Sequence, residues 1–191
     1  MTTPAPRISS PSLLAVSRGI ADVRDELVAK WSKWVAGRQD GGTGPDEEAM
    51  IRMLGIVCDL LVVMAGPLRR EARDTWFAAT EMYGRLAALR GLTAAEVVEE
   101  LHRLRELLVL ELADFFVALP ARQQLPTFLR FNKVLDSAVT NAVVGYTDAL
   151  VTRMFGHEGV PVPTADSIQE AVTALDGLEA EVRTLSGKSP R

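Results

Sequence analysis

The sequence predicts an all-α fold, a bundle of about five to six helices with a C-terminal helix that carries heptads. Three observations predict it: apolar residues recur at three- and four-residue spacing, Pro and Gly fall between those segments, and no stretch shows the β-branched alternation of strands. The spacing places helices at about 12–37, 46–65, 67–90, 94–119, 126–155 and 166–186. In domain terms this gives a lead-in over 1–11 without regular structure, a helical domain over 12–155, a linker over 156–165, a last helix over 166–186 and a tail over 187–191.

The first helix is carried by Val16, Ile20, Val23, Leu27, Trp31 and Trp34, and it dissolves in the stretch GRQDGGTGPDEE. Pro45 in that stretch suits the first turn of the second helix, and the acids after it suit the positive end of the helix dipole. Gly66-Pro67 divides the second helix from the third by a sharp turn or kink. Gly91 closes the third. The fourth has the clearest start: Thr93 as cap, Glu96 at the third helical position to complete a capping box, and Leu92 with Val97 as a hydrophobic staple. Its buried stripe is Val97, Leu101, Leu104, Leu108, Leu112, Phe115 and Leu119. Beyond Gly156 to Pro163, Asp166 can cap a last segment in which Ile168, Ala171, Leu175, Leu178, Val182 and Leu185 form a short heptad seam. That helix either packs back on its own domain or pairs with a second copy or an output domain.

Composition narrows the function. The chain is 48% hydrophobic and 24% charged, as a soluble globular domain is, and its net charge of −4 argues against general binding to nucleic acid, though not against a local basic patch. The apolar runs Leu54 to Gly66 and Leu107 to Leu119 are too short and too interrupted by acids to insert into a membrane. The N-terminus lacks the sustained apolar region of a signal peptide, and a single cysteine, which rules out an internal disulfide framework, fits a cytoplasmic address best. The single cysteine, Cys58, sits in an apolar run and reads as a small buried residue.

Of the two histidines, His102 stands three residues after Glu99, half of the pattern used in helix-bundle di-iron sites. It lies roughly 115° from the centre of the fourth helix's stripe and so faces outward. The other, His157, lies in the Gly-rich segment FGHEGVPVP. No metal site is therefore expected, and His102 remains only a candidate haem ligand. Arg105 lies at the margin of the same stripe and needs a partner, for which Asp136 on the fifth helix is the candidate. Trp31 and Trp34 read as core or subunit interface. Phosphate-binding loops, nucleophile elbows and kinase signatures are all missing, so no catalytic residue is assigned.

The run MYGRLAALRGLTAAEVVEELHRLRELLV, followed by LPTFLRFNKVLDSAVTNAVVGYTDAL, resembles the N-terminal domain of RsbR and RsbRD-type regulators, the RsbT co-antagonists of bacterial stress signalling. LVAKWSKWV resembles the Trp-bearing first helix of that domain, and a related module precedes some bacterial histidine kinases. The telling parts are the Gly turn into a helix with an acid, Glu99 or Glu100, before Leu104-Arg105, and the later Leu135-Asp136-Ser137-Ala138. The resemblance spans about residues 12–155. It implies a non-haem globin-like sensor domain, usually dimeric, that binds no cofactor and regulates a protein partner. Where the family often has a histidine before the Gly turn, this chain has Tyr83. The leading expectation is thus a non-catalytic, homodimeric sensor or scaffold; the alternative is a ligand-binding helical protein holding haem or an apolar small molecule between helices.

Overall fold

A computed structural model of the chain describes residues 11–37, 47–155 and 164–188, and every regular element among them is helical. These are α1 (Pro11–Ala36), α2 (Glu47–Ala65), α3 (Arg73–Leu89), α4 (Ala94–Glu111), α5 (Ala113–Ala118), α6 (Ala121–Phe155) and α7 (Ala165–Lys188). The lead-in before Pro11, Pro45, the segment 156–163 with His157, and the tail beyond Lys188 lie outside the described residues.

Three boundaries differ from the sequence reading, each for a local reason. Residues 67–72 form turns, closed by the bond from the Ala72 N–H to the Leu68 carbonyl, so α3 starts at Arg73 rather than at Pro67. The helix expected over 94–119 breaks at Leu112, whose φ of −99° and ψ of 6° leave the helical region while its side chain stays buried. The bend lets Phe116 of α5 reach Phe128 and Phe131 of α6, at ring separations of 5.5 and 5.9 Å. Finally, α6 begins at Ala121, so Pro126 stands inside it and not at its start. The missing Pro126 N–H frees one carbonyl, that of Arg122, which is at an exposed helix end where water can serve it.

Helix α2 is buried around most of its circumference and forms the centre. Helix α1 runs antiparallel to it, tied by Ser17 Oγ to the Val62 carbonyl (2.7 Å) and by a two-bond Arg24–Asp59 pair (2.8 and 2.9 Å). Helices α3 and α6 bring their backbones into close contact. A Cβ on Gly84 would stand 1.9 Å from the Ala142 carbonyl oxygen, and one on Gly145 would stand 2.1 Å from that of Glu81. Around this crossing Trp76 Nε1 donates to Ser137 Oγ (2.9 Å) and Asn141 Nδ2 to Thr80 Oγ1 (3.2 Å). Helix α4 returns antiparallel along α6, and Tyr146 closes that layer by donating to the Leu92 carbonyl at 2.8 Å. Helix α7 packs back over α2 and α3 through Ala171, Leu175, Leu178, Val182 and Leu185. Of the two readings of that seam, this structure shows the first.

Cys58 is fully buried in α2. Burial pushes its thiol from 9.0 up to about 12, with Arg24 working against the shift and Asp59 adding to it. The folded chain thus holds a proton that the unfolded chain has already lost, so the stability this proton contributes is complete below about pH 9 and is lost as pH rises towards 12. Melting temperatures recorded at several pH values should fall above about pH 9, and Cys58→Ala should flatten the first part of that fall. A profile with the same slope in the variant would assign the alkaline loss elsewhere.

Candidate functional site

The α3–α4 connection builds the most unusual group of side chains. Gly91 takes the left-handed conformation (φ 75°) that ends α3. The bonds from Gly91 N–H to the Ala88 carbonyl and from Leu92 N–H to the Ala87 carbonyl, both 3.1 Å, complete a Schellman turn. Thr93 then caps α4 with the reciprocal Glu96 bond. Two signals in sequence, one ending a helix and one starting the next, therefore fold the four residues Arg90 to Thr93 into a fixed hairpin. Its two arms bring Arg90, at the end of α3, against Glu100 on α4.

Glu100 is completely buried. Arg90 grips its carboxylate with two bonds, Nη1 to Oε2 at 2.9 Å and Nη2 to Oε1 at 2.7 Å, and Tyr83 of α3 donates its hydroxyl to Oε2 at 2.6 Å. Trp31 of α1 donates its indole N–H to the Glu100 backbone carbonyl (3.1 Å) and stacks on the Tyr83 ring at 5.6 Å. Three helices thus meet at one residue, Glu100. Arg90 Nε alone among these donors lacks a partner. Burial, followed by the Glu100 charge and hydrogen bond, raises the Tyr83 pKa well above its ordinary value, so the phenol stays protonated and keeps donating. For Arg90, burial acts to lower the pKa, but the Glu100 bonds and charge prevail and the net shift is upward. Both carboxylate oxygens are occupied, and the arrangement fixes helices relative to one another.

The residues singled out from sequence fall into separate places. Trp31 and Tyr83 belong to this junction, whereas Trp34 is half-buried at the edge of the core. Glu99 and His102 are exposed on the outer face of α4, beside the Arg103–Glu106 pair. Arg105 does meet Asp136, with a guanidinium N–H donating to the carboxylate. Asp136 keeps 64% of its side-chain surface exposed, so this is a surface pair. A double-mutant cycle should give a coupling energy below about 1 kcal/mol, but not zero. Leu135 and Ala138 are buried, and Ser137 takes the Trp76 bond, so every residue of the Leu135–Ala138 motif has a packing or pairing role.

Sequence reasoning missed Glu100 and Arg90 as a pair. Glu100 lies about 80° from the centre of the stripe, and the buried face extends past it to Leu107. The available signal was the arginine just before the Gly turn, placed to face the next helix.

Clefts flank α7 on both of its sides. One, of about 340 Å³, is lined by Arg24, Arg52, Asp59, Glu179 and Arg183 among others; a second, of about 400 Å³, lies between α6 and α7 beside Met82, Leu89, Asp148 and Ala171. At the first, Arg52 holds α7 through Asp176 (2.6 Å) and Glu179 (2.8 Å). Among the described residues no three His, Cys, Asp or Glu side chains group as metal ligands, and no helix is long and apolar enough to cross a membrane.

Among the described residues, fold and site together define an all-helical module with a buried polar junction where α1, α3 and α4 meet and a last helix that lies against the body beside open clefts. Comparison with protein families, with curated proteins and with solved structures finds no match to the chain.

Proposed function

We propose that the chain is a non-catalytic sensor or scaffold module of the RsbRD type: globin-like without haem, cytoplasmic, and homodimeric, regulating a protein partner in bacterial stress or two-component-type signalling. The observation that carries this reading is the attachment of α7. It touches the body by one narrow apolar stripe and the Arg52 ion pairs, with an open cleft on either side. An element held this way can shift as a unit while α2, α3 and α6 keep their packing. The interior supports a sensor without haem, since the space where α1, α3 and α4 meet is filled by Trp31, Tyr83, Arg90 and Glu100.

A second reading, a protein that holds an apolar small molecule, is favoured by the cleft between α6 and α7, whose volume is within the range of small-molecule sites. Haem bound through His102 is not favoured, because that side chain points away from the packed interior. Native mass spectrometry of protein purified gently from its own host separates these readings. A dimer without added mass is expected; a strictly monomeric chain overturns the dimeric sensor, and a bound small-molecule mass replaces it with the ligand-binding reading. Amide exchange should also be faster throughout α7 than in α2, and equal protection would remove the basis for a moving last helix.

A further inference from the structure

The corner where α4 ends, α5 turns and α6 begins carries exposed apolar side chains in unusual density. Leu110, Val117, Leu125 and Leu129 are 67%, 75%, 63% and 58% exposed. The fold brings Val117 beside the helix that carries Leu125 and Leu129: Gln124 Nε2 binds the Val117 and Leu119 carbonyls at 3.0 and 2.9 Å, and Phe116 and Phe128 pack edge to face. At 100° per residue, Arg122, Leu125, Pro126, Leu129 and Lys133 occupy one sector of α6 about 100° wide, with Arg130 at its margin.

Charge on this corner runs against that of the whole chain. Between Phe115 and Leu135 the sequence contains Arg122, Arg130 and Lys133 and no carboxylate, whereas the whole chain has net charge −4. Arg69, from the turn before α3, lines the same small crevice as Arg130 and extends the cationic rim. Of the flanking acids, Glu111 is paired with Lys30 and Asp136 with Arg105, and Asp114 is exposed.

We infer that this corner is a peripheral membrane-binding surface for anionic lipid. Val117, Leu125 and Leu129 enter the boundary between headgroups and acyl chains, while Arg122, Arg130 and Lys133 meet lipid phosphates. Charge decides the occupant, since the basic side chains of this stretch have no carboxylate among them and match an anionic surface. A lipid layer can take up exposed apolar side chains beside basic ones in the manner of an interfacial amphipathic helix. No helix need cross the bilayer, and the protein lies on its face.

The test is flotation of the full chain with phosphatidylcholine vesicles and with vesicles of phosphatidylcholine and phosphatidylglycerol, roughly two to one. Binding is expected to the anionic vesicles only, and to weaken with salt. Each basic residue near such a surface contributes about fivefold in partitioning, so replacing Arg122, Arg130 and Lys133 together by Gln should lower it about a hundredfold. The pair Leu125→Ser and Leu129→Ser should lower it at least tenfold or so, with the melting temperature unchanged because both side chains are already exposed. Failure to float with anionic vesicles, equal binding to phosphatidylcholine alone, or wild-type binding by both variants overturns the inference. Capture of an acidic amphipathic peptide through these residues, without flotation, would also overturn it and assign the corner to a protein partner.

Discussion

Alanine at Gly84 or Gly145 should leave little folded protein. In an exposed helix interior, alanine in place of glycine stabilises by up to about 1 kcal/mol. Here the added methyl would meet backbone carbonyl oxygens at 1.9 and 2.1 Å, and neither oxygen belongs to a flexible side chain. Helices α3 and α6 must separate to admit it. That separation disturbs the Trp76–Ser137 and Thr80–Asn141 bonds and the packing of Ala142 and Tyr146. A loss on the order of 4 kcal/mol or more is expected in urea titrations, above the roughly 1–3 kcal/mol of ordinary overpacking because two helix backbones must part and their bonds break. Gly177 supplies the control. It is also within a helix, but a Cβ there meets nothing within 4 Å, so Gly177→Ala should be neutral or slightly stabilising. Similar small effects at all three positions would show that the α3–α6 crossing is looser than described.

The second large effect belongs to Glu100. Glu100→Ala strands the Arg90 guanidinium, whose side chain is only 2% exposed, without its counter-charge. Breaking a buried pair from one side costs about 3–5 kcal/mol, because the remaining charge is left uncompensated. Tyr83→Phe removes only one donor and should cost about 1–2 kcal/mol. The double replacement Arg90→Met with Glu100→Leu removes both charges and should be clearly less damaging than Glu100→Ala alone. If the double variant is as unstable as the sum of its single changes, the pair is not acting as a coupled unit, and the junction's role in fixing α1, α3 and α4 is overstated.

The two regions differ in how far the sequence reveals them. Helix type, the Gly91 turn and the Thr93–Glu96 cap follow from local rules, since each depends on residues within one or two helical turns. The Arg105–Asp136 contact was within reach of periodicity, because both residues sit at the margin of an apolar stripe. The crossing at Gly84 and Gly145 was not, because a glycine inside a helical pattern reads as a weak point until the backbone it admits is known. The break at Leu112 was hidden for a related reason. Leu112 continues the helical spacing, and only the pull of Phe116 towards Phe128 and Phe131 gives cause to bend there. Glu100 was obscured by its neighbour, since an acid beside Glu99 looks like one more solvated charge. Pro126 misled in the opposite sense, as it usually marks a first turn and here stands one turn later.

The glycine crossing also bears on the order of events as the chain folds. The α3–α4 hairpin joins residues close in sequence, so its Schellman turn and capping box can close quickly. Trp76 and Ser137 are 61 residues apart, and the Gly84–Ala142 approach spans a similar length. Contacts of that separation bear a loop-closure penalty before they return anything, and they tolerate no slack once formed. The seam should therefore lock late, after the barrier, leaving changes there to act on how fast the protein comes apart. Stopped-flow experiments on a mild variant such as Ala142→Gly should show faster unfolding with nearly unaltered refolding. On that account the glycines act as a latch that governs how long the folded state lasts.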